Sequence, residues 1–544
     1  MAAGANRLYY GDNLAVLREH VATNSVDLIY LDPPFNSNRN YNVIFARHDM
    51  KQDADQAQIE AFGDTWHWTP ITEEQYRGAI TGALPSGATD ALRAFRTLLG
   101  ENDAMAYLVN MAPRLVELRR VLKKTGSLYL HCDPTMSHYL KVLLDAIFGA
   151  ELFVNEVVWR RAAASKGHAS RRYSVSHDLL LVYAKSERWI FRPVHLEPSE
   201  AYTLRFKHDD KDGRGPYRLA PLDNPAHRPN LIYEYKGFPS PARGWRVGRD
   251  VMEQLDADGR LAFPGKPGGR ISRKHYLQEQ GGPLAGDVWT DITPLQASSA
   301  ERLGYPTQKP VALMERIISA SSSEGDVVLD PFCGCGTTIA AAQDSGRSWI
   351  GMDVTYIAID LIEKRLRHTY GDAIRDTYEI RGIPQDTASA QALFDQSPFD
   401  FERWAVSLVQ GQPNERQVGD RGIDGVAMFD TDTRDGFGRL LVSVKGGRQI
   451  GPAFVRDLRG TIENQAAEMG LLITLHEPTR GMREEAHRSG SYRWPVNGQT
   501  YNRLQIRTVS QLLAGDLPKM PPPRLPYIAA TRAARQSRQL TLDA

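Results

Sequence analysis

Cysteine is scarce in this sequence, which has only Cys132, Cys333 and Cys335 in 544 residues. Three cysteines cannot build a disulfide framework, so the composition predicts a protein of the reducing cytoplasm. Long hydrophobic runs are also missing, and the first residues lack the charged-then-apolar pattern of a signal peptide, which predicts no membrane partner. The formal net charge is only +1. A nucleic-acid partner therefore has to be inferred from local clusters of charge.

The length and the residue pattern predict several domains of an α/β protein. At 544 residues the chain exceeds one ordinary core, and 42% hydrophobic with 24% charged residues is typical of a globular protein. Strands alternate with helices over residues 1–159 and again over 301–385, which indicates a parallel sheet covered by helices. The pattern loosens over 160–300. A further region with its own strands spans 398–515, and a Pro-rich, then basic tail spans 516–544.

A glycine loop follows a predicted strand in DVVLDPFCGCGTT, residues 326–338. Gly334 and Gly336 allow the backbone to turn tightly and approach a ligand at the carboxyl edge of the sheet. Asp353 ends the next predicted strand, where an acidic residue binds ribose hydroxyls in dinucleotide folds. The third glycine of a pyrophosphate loop is replaced by Ile339. S-adenosylmethionine, an adenosyl ligand without phosphates, therefore fits this loop better than NAD, with a plain strand–turn–helix as the alternative.

A second elbow, DPPF at residues 32–35, ends the apolar stretch VDLIYL. Proline cannot donate to a sheet ladder, so the strand has to stop there. The Asp32 carboxylate and the Pro33 carbonyl are two acceptors that match the two N–H bonds of an exocyclic amine. Phe35 offers a flat face for a base. A base inside a duplex would have to be flipped out to reach such a pocket, and a strand-terminating turn is the alternative.

The glycine loop and the DPPF segment, which we call the two elbows, belong to a set of six motifs. These motifs occur in the order typical of one enzyme family. Over residues 7–370 the chain resembles the amino-group DNA methyltransferases of the permuted class, in which the catalytic motif precedes the cofactor motif. The resemblance implies a Rossmann-like α/β fold, circularly permuted, with S-adenosylmethionine as cofactor and double-stranded DNA as partner. The motifs are GDNLAVL (11–17), LDPPFN (31–36), GSLYLHCDPTMSHYL (126–140), NEVVW (155–159), YPTQKP (305–310) and LDPFCGCGTT (329–338).

Roles follow from the resemblance, position by position. It implies that the DPPF elbow holds and activates the target amine. It also implies that the glycine loop and the YPTQKP motif contact the cofactor, the latter near its methionine end. Asp at position 32, where cytosine enzymes of the family usually have Ser, favours adenine N6 over cytosine N4. The implied catalytic residues are Asp32, Pro33, Pro34 and Phe35, and the implied cofactor-binding residues are Asp330, Phe332, Gly334, Gly336, Thr337, Asp353, Thr307, Gln308 and Lys309.

The loosely patterned region 160–300 is predicted to be an irregular target-recognition insert between the two methyltransferase halves, 1–159 and 301–385. Basic residues and aromatics, types that contact phosphates and bases, interleave there. A solvated loop is the alternative, and the sequence that is read cannot be deduced. The residues are Arg160, Arg161, Lys166, Arg171, Arg172, Tyr233, Tyr235, Phe238 and Trp245.

The region 398–515 resembles the Mrr-type branch of the PD-(D/E)xK nuclease fold, an α/β domain. The resemblance implies nuclease residues Glu402, Asp424 and Lys445, with Mg²⁺ held at Asp424. The metal ligand expected two positions before the lysine is replaced by Ser443, a poor ligand. An active nuclease, an inactive DNA-binding fold and a structural appendage stay open.

For the whole chain, the sequence predicts a site-specific adenine-N6 DNA methyltransferase of a restriction–modification system. Cytosine-N4 transfer is the enzymatic alternative, as is a bifunctional methyltransferase and nuclease. A DNA-binding module with relic sites is the non-enzymatic alternative. The resemblance also leaves a homodimer open.

Overall fold

The computed structural model describes residues 6–34, 40–44, 58–63, 66–161, 173–265, 269–296, 299, 301, 303, 308–413, 422–431 and 437–523. The chain forms two compact units. Unit 1 comprises Met1–Phe191 and Asp287–Ala544, and unit 2 comprises Arg192–Gly286. Within the described ranges, no helix is both long enough and apolar enough to cross a membrane.

The strands, in chain order, are β1 (Asn6–Tyr10), β2 (Val26–Leu31), β3 (Asn40–Ile44), β4 (Gln58–Gly63), β5 (Leu122–Cys132), β6 (Phe153–Arg160), β7 (His177–Ala184), β8 (Tyr217–Pro221), β9 (Leu261–Ala262), β10 (Ser272–Tyr276), β11 (Val288–Trp289), β12 (Val327–Asp330), β13 (Ser348–Asp353), β14 (Tyr378–Arg381), β15 (Gln412–Pro413), β16 (Gly425–Asp430), β17 (Phe437–Lys445), β18 (Met469–Thr474), β19 (Ser491–Arg493), β20 (Thr500–Asn502) and β21 (Leu504–Thr508).

The α-helices are α1 (Asn13–His20), α2 (Pro70–Gly78), α3 (Ser86–Leu99), α4 (Asp103–Val121), α5 (Ser137–Phe148), α6 (Glu200–Thr203), α7 (Arg249–Ala257), α8 (Val311–Ser321), α9 (Thr337–Asp344), α10 (Tyr356–Tyr370), α11 (Thr387–Gln396), α12 (Pro398–Ser407), α13 (Pro452–Asn464), α14 (Arg480–His487) and α15 (Val509–Leu513).

Unit 1 is built around a nine-stranded sheet with the strand order β11-β6-β7-β5-β2-β12-β13-β1-β14. The six strands from β5 to β14 run parallel to their neighbours, and β7 is antiparallel to both β5 and β6. Strand β2 is buried along its whole length. Its side chains alternate between two cores, because Ile29 packs under α1, α3, α4 and α5 whereas Leu28 packs under α8, α9 and α10. The predicted α/β class is confirmed.

Two details differ from the sequence-based expectation. Strand β7 and the short strand β11 lie inside the stretch expected to be an irregular insert, yet both pair into the central sheet. A buried reversed strand has the same apolar composition as any other strand, so only pairing reveals its place. The second detail is Gly126, because a glycine between two apolar segments is typical of a turn, but β5 runs through it. A Cβ at Gly126 would lie 2.7 Å from the Asp27 carbonyl oxygen, so glycine serves close strand packing there.

The C-terminal part of unit 1 is a second α/β domain. Its five-stranded sheet has the order β15-β16-β17-β18-β21, with β17, β18 and β21 parallel. Helix α12 begins where the Ser397 side chain accepts a hydrogen bond from the Asp400 amide, and Pro398 occupies the first turn. Its buried Phe401 and Trp404 cover one face of the sheet. This core extends to the first domain, because Tyr356 of α10 and Ile383 pack against it.

Unit 2 contains a three-stranded antiparallel sheet with the order β8-β10-β9 and the helix α7. Its core is small. Tyr235 and Trp245 are buried in that core, and Tyr233 and Phe238 pack against it. These four aromatics were expected to face a nucleic acid, but the structure uses them to hold the unit together. Each large ring buries more apolar area than an aliphatic side chain, so a few of them contribute strongly to a small core.

Candidate active site

The two elbows meet because their strands are neighbours. Strand β2 pairs with β12 in parallel, so Asp32 and the glycine loop emerge at the same carboxyl edge of the sheet. A cavity of about 280 Å³ opens there. It is lined by Gly11, Asp12, Asn13, Tyr30, Asp32, Pro33, Pro34, Trp66, Arg114, Gln308, Lys309, Met314, Asp330, Pro331, Phe332, Cys333, Gly334, Cys335, Thr337, Thr338, Asp353, Val354 and Thr355.

At one side of the cavity lie Asp32, Pro33 and Pro34. The Asp32 side chain is 15% exposed, and its Oδ2 accepts from Lys309 Nζ in a close ion pair. Lys309 comes from the segment that leads into α8, nearly 280 residues away in the chain. This pair neutralises the carboxylate and restrains its rotamer. Phe35, the fourth residue expected at this elbow, lies outside the described residues.

At the other side the glycine loop closes on Asp353. The Gly334 amide donates to Asp353 Oδ2 at 2.9 Å, and Gly334 has a φ of +47°. The other carboxylate oxygen accepts from the Thr355 amide at 2.8 Å and from its hydroxyl at 2.6 Å. Burial raises the pKa of Asp353. These contacts hold the carboxylate and the loop in one fixed arrangement.

Gly336 serves the backbone rather than the cavity. It precedes α9 with a φ of +73°, a left-handed backbone conformation that residues with a Cβ rarely adopt. An added Cβ would also lie 2.6 Å from Ile362 Cγ1. Gly336 does not line the cavity, whereas Phe332 and Thr337 on either side of it do.

Asp330 is the most perturbed carboxylate of the site. It ends β12, is 3% exposed, and receives a hydrogen bond from the Phe332 amide at 3.1 Å. Burial raises its pKa to about 7, and the neighbouring carboxylates Asp32 and Asp353 add to the shift. Within the described part of the chain, no lysine or arginine forms an ion pair with it. A buried carboxylate without a cation is unfavourable, so this wall of the cavity attracts a positive ligand.

The YPTQKP segment is described only from Gln308 onwards, and Thr307 lies outside the described residues. Gln308 lines the cavity with its side chain already engaged. It accepts from the Leu303 amide and donates to the Glu301 carbonyl, both at 2.7 Å. Gln308 therefore fixes this segment, and with it the neighbouring Lys309.

A polar wall of the cavity was not anticipated from the sequence. Arg114, in the middle of α4, donates from Nε to Asn13 Oδ1 at 2.7 Å and from Nη2 to Asp12 Oδ2 at 2.5 Å. The Asn13 amide group in turn donates to the Pro331 carbonyl at 2.8 Å. Burial lowers the pKa of Arg114. An arginine inside the apolar run AMAYLVNMAPRLVEL was the available signal, because a buried arginine needs acceptors.

Behind Asp32 lies a buried chain of polar side chains. The Tyr30 hydroxyl hydrogen-bonds His131 Nδ1 at 2.9 Å, and His131 Nε2 lies 3.4 Å from Asp178 Oδ2. Arg161 Nε lies 3.1 Å from Asp178 Oδ1. Burial opposes ionisation of Asp178, but His131, Lys309 and Arg161 hold its pKa below the usual value. The neighbouring Asp133 fixes the turn that leads into α5, since its carboxylate accepts from the amides of residues 135 and 136.

The residues expected for a nuclease site are placed in the C-terminal domain. Asp424 Oδ2 accepts from the Val444 amide at 2.6 Å, and Lys445 Nζ lies 3.6 Å from the same oxygen. Ser443 Oγ is 3.3 Å from it. Glu402 lies on α12. Among the residues that the structure describes, no three His, Cys, Asp or Glu side chains cluster closely enough to hold a metal ion.

The fold and the cavity define an α/β protein with a pocket at the carboxyl edge of a mostly parallel sheet. A family model described as DNA methylase matches residues 26–364. The chain belongs to this DNA methylase family. A second model, described as NACHT-associated inactive Restriction Endonuclease 1, matches residues 400–514. The C-terminal domain is therefore restriction-endonuclease-like, while its Mrr-type assignment and the permuted class stay predictions.

Several curated proteins are similar to this chain. The Type II methyltransferase M.EcaI of Enterobacter cloacae is 35% identical over 48% of this chain and 57% of its own length. The StyLTI Mod subunit of a Type III restriction–modification enzyme, from Salmonella typhimurium, is 29% identical over 62% of this chain and 50% of its own length. The DNA adenine methyltransferase YhdJ of Escherichia coli is 47% identical over 66% of this chain and 83% of its own length. The chain spans little more than half the length of the first two relatives.

Among solved structures, the M1.HpyAVI–SAM complex covers 66% of this chain and 99% of its own, at 14% identity and a TM-score of 0.30. That likeness is too weak to bear on function.

Proposed function

We propose that this protein is a site-specific DNA methyltransferase that transfers a methyl group from S-adenosylmethionine to the N6 amine of a flipped-out adenine. The observation that carries the proposal is one cavity with two chemically different sides. Asp32 and the Pro33 carbonyl offer acceptors on one side, and Gly334, Asp353 and Asp330 form the other. Methyl transfer needs the amine and the methyl donor side by side, which a single cavity permits.

The residues present fit S-adenosylmethionine. Asp353 retains acceptor capacity for ribose hydroxyls, since a carboxylate offers about four lone-pair directions and three hydrogen bonds reach it from the protein. Asp330 is a buried carboxylate whose raised pKa marks a place for a positive charge. When bound, the cofactor supplies the electrophilic methyl group on its sulfonium. Phe332, Thr337, Gln308 and Lys309 complete the walls that would orient it.

On the base side, Asp32 and Pro33 hold the target amine. Accepting its two N–H bonds favours the geometry in which the nitrogen lone pair is no longer delocalised into the ring. The Lys309 ion pair keeps the Asp32 carboxylate oriented while it is partly shielded from water. As the new N–C bond forms, the methyl–sulfur bond breaks and its electron pair stays on sulfur as a neutral thioether. The amine nitrogen would then be positively charged, and it releases one N–H proton to solvent water. Phe35 is proposed to stack on the base, as the sequence motif implies.

Adenine is preferred over cytosine for two reasons. Asp32 stands where the family's cytosine enzymes usually have serine, and the similar protein YhdJ is named a DNA adenine methyltransferase. Relatives named as parts of restriction–modification systems support a role in such a system. Digestion of the methylated product to nucleosides would distinguish N6-methyladenine from N4-methylcytosine directly.

The test of the proposal is Asp32→Ala. Transfer of tritiated methyl groups to DNA is expected to fall below detection, because the amine loses its charged acceptor. The dissociation constant for S-adenosylmethionine should stay within about threefold of wild type, because Asp32 lies across the cavity from Asp353. Gly78→Ala, far from the cavity in open space, is the matched control. Full activity of Asp32→Ala would overturn the proposal, and so would a wild-type protein that methylates only RNA or protein.

We propose further that the C-terminal domain keeps the restriction-endonuclease fold without cleaving DNA. Three observations support this. The family model that matches it describes an inactive restriction endonuclease. Ser443 stands at an expected ligand position, and the Asp424 oxygen that faces Lys445 already accepts from the Val444 amide.

Plasmid DNA incubated with the full chain and Mg²⁺ tests the inactive state. We expect no nicking on methylated or unmethylated plasmid, and no difference between wild type and Asp424→Ala. Nicking by wild type that Asp424→Ala abolishes would show an active, bifunctional enzyme and overturn this proposal. Sedimentation of the same preparation would test the homodimer that the resemblance leaves open.

A further inference from the structure

Unit 2 carries more positive charge than the remainder of the chain. Residues 192–286 contain 16 lysines and arginines against 12 aspartates and glutamates, whereas the remaining residues contain 50 against 53. The nearly neutral total therefore hides a basic unit and an acidic remainder. A segregated basic unit favours a polyanionic partner.

Within unit 2, three basic side chains lie on one face of the small sheet. Strands β8 and β10 pair so that Arg218 lies opposite His275, and Arg273 is two residues along β10 on the same face. All three are partly exposed. The same face carries core residues at its other end, where Arg273 pairs with the buried Leu261 of β9. We call Arg218, Arg273 and His275 the cationic cluster.

The positive charge of the cationic cluster is only partly offset within the described part of the chain, where Glu279 acts on Arg273 and His275 at longer range. Neither arginine forms an ion pair there, and the Nε atom of each is buried without a hydrogen-bond partner. The neighbouring carboxylate Glu279 is engaged by Arg260 through two contacts of 2.7 Å. Burial, Arg273 and Arg218 together lower the pKa of His275. Like charges held together beside a core, with buried donors unpaired, cost stability unless an anion joins them.

Other basic residues of unit 2 differ in this respect. Arg260, Arg270 and Lys274 each have a carboxylate partner, namely Glu279, Asp223 and Asp210. Arg243, Arg246 and Arg249 donate to backbone carbonyls instead. Arg218 and Arg273 differ from both groups because their buried Nε atoms have no acceptor among the described residues, which points to a ligand rather than to packing alone.

We propose that the cationic cluster is a clamp for the phosphodiester backbone of duplex DNA. Guanidinium groups match phosphate oxygens in a bidentate geometry, and a pair of arginines beside a histidine can hold one or two adjacent phosphates. The inference rests on the proposed function, because a methyltransferase of flipped-out bases has to grip the duplex around its target. Phosphate contacts position the duplex and carry no sequence information.

The double variant Arg218→Gln/Arg273→Gln tests the clamp in the full chain. Binding of a fluorescent duplex is measured with S-adenosylmethionine replaced by a non-reactive analogue, over a range of salt concentrations. The clamp predicts about tenfold or greater loss of affinity, equal for duplexes of different sequence. It also predicts that the slope of log affinity against log salt falls by about 1.8, because each lost phosphate contact is worth about 0.9.

Two controls separate the clamp from a structural role. Arg270→Gln removes an exposed arginine of the same unit that is paired with Asp223, and its duplex affinity should stay within about twofold of wild type. Arg218→Lys/Arg273→Lys keeps the charge and should recover most of the affinity. The melting temperature of the glutamine variant should be unchanged or raised, because like charges that are only partly offset have been removed.

The outcomes distinguish the clamp from the proposed function. If wild type methylates DNA and the glutamine variant binds duplex as tightly as wild type, the clamp is overturned and the methyltransferase proposal stands. A lowered melting temperature with an unchanged salt slope would also overturn the clamp, because it would show that the arginines serve packing. A wild-type chain that binds no duplex would overturn both.

Discussion

At the scale of single residues, Asp330 is the residue of the cavity whose carboxylate is most perturbed by burial. Its carboxylate is buried at the end of β12, and desolvation raises its pKa to about 7. Asp353 is half-buried, and its carboxylate accepts three hydrogen bonds from the protein. The two carboxylates therefore differ in the kind of partner that a bound ligand would have to supply. Asp353 has donors around it, whereas Asp330 lacks a positive charge, which a sulfonium cofactor with an ammonium group would supply.

This difference predicts a pH dependence of cofactor binding. As the pH falls through about 7, Asp330 takes up a proton and its attraction for a cation is lost. The dissociation constant for S-adenosylmethionine should therefore rise by up to about tenfold per pH unit below 7. Isothermal titration calorimetry between pH 5.5 and 8.5 measures this dissociation constant.

Asp330→Asn is the control for that titration. Its affinity should be weaker than wild type at pH 8 and should lack the step near 7. Titration of the ligand itself is common to both proteins, so the difference between them isolates the carboxylate. Parallel pH profiles for the two proteins would contradict the role given to Asp330.

At the scale of elements, the reversed strand β7 matters most for the site. It brings Asp178 beside His131 of β5 and links both to Tyr30 of β2, the strand that carries the Asp32 elbow. Asp178 lies at the amino end of β7, so a parallel strand with the same residues would place it at the opposite edge of the sheet, away from His131. The antiparallel pairing therefore supports the active-site elbow through a buried polar chain.

Removing one member of that buried network of polar side chains should lower the stability of the protein. Asp178→Ala leaves His131 and Arg161 without their shared carboxylate, and the free energy of unfolding should fall by about 3–5 kcal/mol. Asp90→Ala is the matched control, because Asp90 pairs with Arg93 at 3.6 Å but both side chains are exposed. That change should cost less than about 1 kcal/mol. Urea unfolding followed by tryptophan fluorescence compares the two, and equal losses would argue against a supporting role for Asp178.

At the scale of the whole molecule, the C-terminal domain is packed against the part of the first domain that follows β13. Helix α10 begins directly after Val354 and Thr355, which line the cavity. Its first residue, Tyr356, packs on the core formed by α12 and lies edge-on to Tyr10 with ring centres 6.2 Å apart. The restriction-endonuclease-like domain thereby contacts the helix that follows one wall of the cavity.

This contact predicts that Tyr356→Ala weakens cofactor binding although Tyr356 does not line the cavity. The affinity for S-adenosylmethionine should fall by a few-fold and the melting temperature by several degrees, because the start of α10 loses its packing. Tyr356→Phe keeps the ring and removes only the hydroxyl, so it should retain most of the affinity. Unchanged cofactor binding in Tyr356→Ala would show that the two domains are packed together without functional coupling.

Much of the molecule was predictable because its signals are local. The motifs around Asp32 and Gly334 lie at strand ends, and parallel strands place such ends at one edge of a sheet, so their meeting in one cavity needed no coordinates. Alternating strands and helices likewise predicted the α/β class, which is confirmed. Asp12, Asn13 and Arg114 were missed, because the contact between Arg114 of α4 and the residues that start α1 joins positions about 100 residues apart.

The sequence by itself determined the family, the α/β class and the two elbows, because each is encoded within a few adjacent residues. Tertiary structure alone decided how the charged groups are paired. It joined Lys309 to Asp32, left Asp330 without a cation in the described part of the chain, and turned the aromatics of unit 2 inward. It also left Arg218 and Arg273 unpaired there. The physical reason is that an ion pair or a desolvation cost depends on distance and burial, which are set only when remote segments pack together.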